Sequence, residues 1–94
     1  MDKRTRAKLS PSAAELVDRA DTSESLARTP VRLMVQLTHP LDEPTGQRLQ
    51  QAGLTIQTAA GDVVTARAAP ESLENVAAMD DVKYVELSQK VFLE

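Results

Sequence analysis

The sequence contains no cysteine and no tryptophan, and it has a single histidine, His39. The absence of cysteine excludes a disulfide framework, a thiolate zinc site and a cysteine nucleophile. A Ser-His-Asp triad would depend on His39, which precedes Pro40 in the loop after a predicted strand. Because no second histidine can act as a co-ligand, we interpret His39 as a solvated loop residue and predict neither a metal nor a cofactor.

Aromatic residues are also scarce, since Tyr84 and Phe92 are the only two. Proteins that bind single-stranded nucleic acid stack the bases on aromatic side chains, so this composition argues against a nucleic-acid partner. No apolar run approaches the ~18 residues of a membrane-spanning helix, so no membrane partner is expected. The basic N-terminus MDKRTRAKLS lacks the apolar stretch of a secretory signal. The cytoplasm is therefore the default expectation, and secretion is expected if the chain is a fragment of a larger precursor.

Charge is unevenly distributed along the 94 residues. Residues 1–10 hold four basic side chains and one acidic one, whereas the rest of the chain holds seven basic and thirteen acidic side chains. Four charges without aromatic residues form a weak nucleic-acid footprint, so we favour a solvated tail. The acidic pairs Asp42-Glu43 and Asp80-Asp81 fall at predicted turns, and no serine or glycine motif of an enzyme is present. The chain is therefore not predicted to be an enzyme.

The first 30 residues are predicted to form a basic tail, a short helix and a connector. Residues 1–9 are expected to be disordered. Ser10 can cap a helix whose first residue is Pro11, and apolar residues recur at helical spacing up to Ala20. A polar connector then extends to Pro30. This segment is too short for a domain and is expected to pack on the main body or on a partner.

Residues 31–88 are predicted to form one α+β domain with the order strand-helix-strand-strand-helix-strand. The predicted strands are VRLMVQL, which alternates apolar and polar residues, followed by LTIQTAA, VVTARA and VKYVEL. Gly53 ends the first helix, and Pro70 lies in the first turn of the second. Gly61 and Asp62 form the turn between the second and third strands. Two split βαβ units predict a ferredoxin-like sandwich, a four-stranded antiparallel sheet with both helices on one face.

The other face of this sheet has no helix to cover it, so it is either solvated or a binding surface. Strict alternation along the last strand places Val82, Tyr84, Glu86 and Ser88 on one side. Met34 lies on the less apolar side of the first strand. This mixture is more apolar than a solvated face needs and favours a docking surface. Ordinary scattered apolar residues at a surface are the alternative.

An extended C-terminal tail, residues 89–94, is predicted to follow the last strand. Val91, Phe92 and Leu93 are consecutive apolar residues, and no predicted element remains to bury them. Extended apolar peptides of this kind bind in protease clefts by adding a strand to an enzyme edge. The alternatives are a tail that folds back on the domain, or a Leu93-Glu94 pair that is a remnant of cloning.

These segments, in this order, resemble the N-terminal propeptide domains of subtilisin-like serine proteases. The resemblance covers about residues 31–94 and rests on VRLMVQL, on QQAG followed by LTIQ, on AGDVVTARAAPESLENVAAM and on VKYVELS. VKYVE is the most specific piece, because it resembles the family's hydrophobic-x-Tyr-hydrophobic-Glu strand that leads into the processing site. The flank KLSPSAAELVDRA is similar to the region before that domain in larger bacterial members.

The resemblance implies a protease inhibitor that also acts as a folding chaperone, in cis or in trans. In the family, the open sheet face docks on two surface helices of the protease, and the C-terminal tail lies in the substrate cleft. By this resemblance Tyr84, Glu86 and Ser88 belong to the docking face, where the Glu86 carboxylate and the Ser88 hydroxyl cap helix N-termini. The tail residues that would bind in the cleft are Lys90, Val91, Phe92, Leu93 and Glu94.

The position of Glu94 departs from the family pattern. By the family's spacing Glu94 precedes the scissile bond and Val91 fills an apolar subsite. Many subtilisins prefer a large or apolar residue where Glu94 would lie. The resemblance therefore leaves open the register of the tail in the cleft and the specificity of the partner.

The sequence leaves one alternative function open and argues against a second. A small ferredoxin-like regulatory or interaction module without a protease partner has no need for the apolar segment Val91-Phe92-Leu93. A nucleic-acid binder that uses the sheet face requires aromatic residues on its central strands, and the sequence has none there.

Overall fold

The computed structural model describes residues 3–88 of the chain as an α+β fold. The helices in this part are α1 (Lys3–Ala7), α2 (Pro11–Ala20), α3 (Glu24–Arg28), α4 (Glu43–Gln51) and α5 (Leu73–Ala77), with a 3-10 turn at Pro70–Ser72. The strands are β1 (Val31–Leu37), β2 (Thr55–Ala60), β3 (Val63–Ala68) and β4 (Val82–Leu87). No helix within residues 3–88 has the length and apolar character needed to cross a membrane.

The four strands form one antiparallel sheet in the order β2-β3-β1-β4. β1 and β2 run in the same direction with β3 between them, and β3 and β4 enclose β1 in the same way. Helix α4 connects β1 to β2, and α5 connects β3 to β4, so the chain contains two split βαβ units. The predicted α+β class with a four-stranded antiparallel sheet is confirmed.

The strand boundaries follow the sequence pattern closely. β1, β3 and β4 have the predicted bounds, and β2 begins one residue later than expected, at Thr55. The turn between β2 and β3 contains Gly61 with a φ of 62°, a conformation that L side chains rarely adopt. Gly53 follows α4 with a φ of 108°, and a Cβ at this position would collide with the Ser72 side chain. Both predicted turns therefore depend on glycine.

The core lies between the helices and one face of the sheet. Along β1, Leu33 and Val35 are fully buried, whereas Arg32 and Met34 are exposed, which confirms the predicted alternation. The helix side chains in the same cluster include Leu16, Val17, Leu49, Leu73 and Val76. Each apolar side chain buried in this way contributes about 1.5–3 kcal/mol to folding. Because the helices and the inward strand residues form a single cluster, no helix within residues 3–88 covers the opposite face of the sheet.

Helices α2 and α4 begin at side-chain caps that the sequence pattern indicates. The Ser10 hydroxyl accepts a hydrogen bond from the Ala13 N–H at 3.1 Å, and Pro11 lies in the first turn of α2. The Asp42 carboxylate accepts from the Thr45 N–H at 2.9 Å at the start of α4. Each cap satisfies an N–H group that has no partner within its helix.

The expected disorder of residues 1–9 is wrong for residues 3–9. Leu9 is buried and forms a parallel bridge with Val85 of β4. The Val85 N–H donates to the Lys8 carbonyl at 2.7 Å, and the Ser10 N–H donates to the Val85 carbonyl at 2.8 Å. Residues 8–10 thus form backbone hydrogen bonds with the outer edge of β4, and the Leu9 side chain is buried. The high basic charge of this segment predicts a solvated tail, and the sequence pattern indicates neither the pairing with β4 nor the burial of Leu9.

Basic side chains of the N-terminal segment also hold it in place. The Lys8 ammonium donates to the Met79 carbonyl at 2.8 Å. The Arg6 guanidinium donates two hydrogen bonds to the Asp18 carboxylate, at 2.6 and 3.0 Å, and so connects α1 to α2. These two groups, expected to be solvated, contact the body of the protein instead.

Two short helices differ from the sequence expectation. Helix α3 lies in the predicted connector, where the Leu26 N–H donates to the Ser23 hydroxyl at 3.3 Å and Leu26 packs against the core. Five residues give too short a helical stripe to be read from sequence. The second predicted helix divides into the 3-10 turn and α5, and its stripe of Leu73, Val76 and Ala77 is fully buried as predicted.

Candidate docking face

The uncovered face of the sheet is built from the outward positions of β1, β3 and β4. The strand register arranges these positions in three rows that cross the sheet: Val63, Gln36 and Tyr84; Thr65, Met34 and Glu86; Arg67, Arg32 and Ser88. We call these nine residues the open face. It combines apolar, polar and charged side chains, as the solvent-facing side of an antiparallel sheet does.

Met34 lies in the middle row, between Thr65 and Glu86. It is 38% exposed, and it is the one large hydrophobic residue that is exposed within residues 3–88. Its unbranched thioether side chain adapts to irregular surfaces. Met34 is therefore the exposed apolar side chain of the open face.

A β-bulge in β4 places Val82 and Tyr84 on opposite faces of the sheet. Gln36 pairs with Tyr84, but the next residue, Leu37, pairs with Val82, so Lys83 is the extra residue of the bulge. Val82 is 1% exposed and belongs to the core. The prediction that it shares the outward side with Tyr84 is wrong, because strict alternation makes no allowance for a bulge.

The three predicted docking residues of β4 lie together on the open face. Tyr84 is half-buried, and Glu86 and Ser88 are exposed. The Ser88 N–H donates to the Arg32 carbonyl at 3.1 Å, so the ladder between β1 and β4 extends one residue beyond Leu87. The predicted cleft-binding residues Lys90, Val91, Phe92, Leu93 and Glu94 lie outside the described residues.

Two arginines complete the open face, on the side where strand alternation predicts them. Arg32 and Arg67 are exposed and lie directly opposite each other on the adjacent strands β1 and β3. Each occupies a polar position of an alternating strand, which indicates a solvated residue when the strand is considered alone. Their juxtaposition follows only from the register of β1 and β3.

A polar cluster lies at the opposite end of the sheet, where β4 begins. His39, which follows β1, places Nε2 3.0 Å from Oδ1 of Asp81. The Arg48 guanidinium of α4 donates to Oδ2 of the same carboxylate at 2.8 Å. His39 was expected to be a solvated loop residue, but it connects two loops through Asp81. The local sequence pattern indicates only a turn or capping role for Asp81, because its partners His39 and Arg48 lie more than 30 residues away.

The ionisation of this cluster is set by its hydrogen bonds. The contact with Asp81, assisted by the Pro40 carbonyl, raises the pKa of His39 above its ordinary 6.5. The same contact, together with Arg48, lowers the pKa of Asp81. Hydrogen bonds from Thr45 lower the pKa of Asp42. The cluster therefore favours a protonated His39 between ionised carboxylates.

Within residues 3–88 no group of three His, Asp or Glu side chains is arranged to hold a metal ion. The open face presents an exposed methionine, an exposed carboxylate and two guanidinium groups. Comparisons with protein-family models, with curated proteins and with solved structures found no match.

Proposed function

We propose that this chain is a propeptide-like inhibitor and folding chaperone of a subtilisin-like serine protease, acting in cis or in trans. The open face docks on the protease, and residues 90–94 bind in its substrate cleft. The observation that carries the proposal is the register of the open face. It places Met34, Tyr84 and Glu86 side by side, on and beside the strand that continues directly into the tail.

The arrangement of the strands supports a ferredoxin-like sandwich, the architecture that the resemblance implies. Two split βαβ units with the order β2-β3-β1-β4 are compatible with that fold. The helices pack on one face only, so an area of sheet remains for a partner. An antiparallel sheet tolerates one solvated face, and such a face becomes a docking surface when its side chains match those of a partner.

Glu86 supplies the charged contact of the proposed interface. Its side chain is exposed in the middle row, beside Met34. The N-terminus of a helix presents unpaired N–H groups and the positive end of the helix dipole, both of which stabilise a carboxylate. Met34 would then exclude water next to this contact, which strengthens a charge-assisted hydrogen bond.

The test is titration of the purified full chain into a subtilisin-type protease while hydrolysis of a peptide substrate is followed. We expect inhibition at micromolar concentration or below. Deletion of residues 89–94 should weaken inhibition greatly and leave the circular dichroism spectrum unchanged, because the core lies within residues 9–85. An inhibition constant that survives this deletion would contradict cleft binding by the tail.

Glu86→Ala is the sharper test of the docking face. Loss of a charge-assisted hydrogen bond at an interface costs about 1–3 kcal/mol, which corresponds to about 5- to 150-fold in the inhibition constant. The matched control is Glu71→Ala, which removes the same charge from the 3-10 turn on the helical side. Equal effects of the two variants would assign the loss to net charge rather than to docking. Absence of inhibition by the parent chain would favour an interaction module without a protease partner.

A further inference from the structure

The outer edge of β4 is held by an N-terminal segment, residues 3–10, which we call the strap. The Val85 N–H donates to the Lys8 carbonyl at 2.7 Å, and the Ser10 N–H donates to the Val85 carbonyl at 2.8 Å. Both backbone groups of Val85 therefore have a partner in the strap. Since Val85 directly precedes Glu86, the strap is bonded to β4 within one residue of the charged contact of the proposed interface.

The residues of β4 that carry the docking side chains are bonded on the other edge as well. The Ser88 N–H donates to the Arg32 carbonyl at 3.1 Å. Hydrogen-bonded and non-hydrogen-bonded pairs alternate along an antiparallel ladder, so Tyr84 and Glu86 direct their backbone groups toward β1. Val85 directs its own groups outward, where the strap accepts and donates. An edge strand without an outer partner exposes these groups to water and opens more readily.

The β-bulge at Lys83 is the part of β4 that most needs this support. A bulge leaves one residue unpaired and interrupts the ladder. The strap spans it from outside, because the Lys8 ammonium donates to the Met79 carbonyl before the bulge at 2.8 Å, and the Lys8 carbonyl accepts from Val85 after it. The same bulge turns Tyr84 to the open face. The segment that secures the bulge therefore also secures the face on which Tyr84 lies.

The strap is itself anchored to the helical layer. The Leu9 side chain is 6% exposed and belongs to the core cluster. The Arg6 guanidinium donates two hydrogen bonds to the Asp18 carboxylate of α2, at 2.6 and 3.0 Å. The Ser10 hydroxyl caps the same helix. The position of the strap is thus set by contacts within residues 3–88.

We infer that the strap positions Tyr84 and Glu86 for docking, an inference that rests on the proposed function. Leu9 is the positioning residue, because its buried side chain fixes the strap and acts on the open face only through β4. A strand that already has its docking conformation loses less conformational freedom on binding, which strengthens the complex. The docking unit then begins at the strap, upstream of the α+β domain predicted at residues 31–88.

The experiment compares Leu9→Ala with Leu54→Ala in the full chain by the protease assay. Leu54 is 2% exposed and directly precedes β2, so the control removes the same side chain at the opposite edge of the sheet. Circular dichroism gives the folded fraction, by which each inhibition constant is corrected. We expect the constant to rise about fivefold or more in Leu9→Ala and by less than about twofold in Leu54→Ala.

Two further variants separate positioning from a general loss of packing. Leu9→Met nearly conserves the volume of the buried side chain, so its inhibition constant should stay within about twofold of that of the parent chain. If Leu9→Ala does not fold, Leu9→Val takes its place, because it removes less of the side chain and leaves a smaller cavity. It should still weaken inhibition more than Leu54→Ala does.

A second measurement needs no protease. Amide hydrogen exchange is followed by NMR in the free chain, at Tyr84 and Glu86 and at Leu33 of the central strand. The first two amides face β1 rather than the strap, so their exchange accelerates only if β4 as a whole loosens. In Leu9→Ala we expect their exchange to accelerate about fivefold or more relative to Leu33, and in Leu54→Ala we expect no relative change.

Three outcomes distinguish this inference from the proposed function. If the parent chain inhibits and Leu9→Ala inhibits as well as Leu54→Ala does, the positioning role of the strap is overturned and the proposed function stands. If the parent chain does not inhibit but exchange at Tyr84 and Glu86 accelerates in Leu9→Ala, the proposed function fails and the hold of the strap on β4 stands. Exchange at these two amides that keeps pace with Leu33 in Leu9→Ala overturns the inference, whatever the protease assay shows.

Discussion

The two faces of the sheet differ sharply in what their side chains do, although they alternate along the same strands. On β1, Leu33 and Val35 are 0% exposed, and Met34 between them is 38% exposed. The inward residues stabilise the fold, because their burial removes apolar surface from water. The outward residues make little contribution of that kind, so packing of the core does not determine their identity.

This difference separates stability from binding at the level of single residues. A substitution on the inward face should lower the free energy of unfolding and affect binding only through unfolding. A substitution on the open face should leave the free energy of unfolding nearly unchanged and act on the partner directly. The comparison can therefore be tested with neighbouring residues of one strand.

The largest expected effect is that of Leu33→Ala. Removal of a fully buried leucine side chain leaves a cavity, and we expect a loss of about 2–5 kcal/mol in the free energy of unfolding. Met34→Ala, one residue along the strand, should change it by no more than about 0.5 kcal/mol. Urea denaturation followed by circular dichroism measures both. Similar losses of unfolding free energy in Leu33→Ala and Met34→Ala would show that the two faces do not differ in their contribution to stability.

A smaller effect is expected where the N-terminal segment covers the edge of β4. Leu9 is 6% exposed, and Leu9→Ala should lower the free energy of unfolding by about 2 kcal/mol, at the lower end of the range for buried leucines. Exchange of the Val85 amide hydrogen should accelerate, because that N–H donates to the Lys8 carbonyl. Lys3→Ala, on an exposed residue of α1, is the control and should change neither quantity. Unchanged exchange at Val85 in Leu9→Ala would show that the edge does not depend on Leu9.

The smallest effect concerns His39, at the end of the sheet remote from Ser88. Its pKa is raised in the folded state, so protonation stabilises the fold. That contribution is fully present below the ordinary pKa of 6.5 and is lost as the pH rises through the folded pKa. We expect the midpoint of thermal unfolding, followed by circular dichroism, to fall slightly as the pH rises from about 6 to about 8. The same measurement on His39→Gln should show no such fall. The depressed pKa values of Asp42 and Asp81 place their titration below this window. A parent midpoint that rises over this range would refute the assignment.

The strands could be predicted from the sequence because their signals are local. Alternation over VRLMVQL fixes β1 and its inward face, and Gly61 fixes the turn after β2. Tyr84 and Glu86 were placed correctly on the outward side, since the bulge at Lys83 precedes both of them. Val82 precedes the bulge, which reverses the alternation, so the prediction that it faces outward is wrong.

The remaining features depend on contacts between distant parts of the chain. The pairing of Arg32 with Arg67 follows from strand register, which the pattern of either strand alone does not define. The contact of His39 with Asp81 likewise joins two loops that are brought together by β1 and β4. The local pattern predicts only that the two arginines face outward, that His39 is a solvated loop residue and that Asp81 lies at a turn.

The cover that Leu9 and its neighbours place on β4 has a consequence for the order of folding. Lys8 and Met79, which the cover brings into contact, are 71 residues apart in the sequence. During synthesis residues 8–10 leave the ribosome long before β4 exists, and contacts of such long range form slowly. The contact between residues 8–10 and β4 therefore cannot form until β4 has emerged, so the outer edge of β4 gains this partner only from residues made at the other end of the described chain.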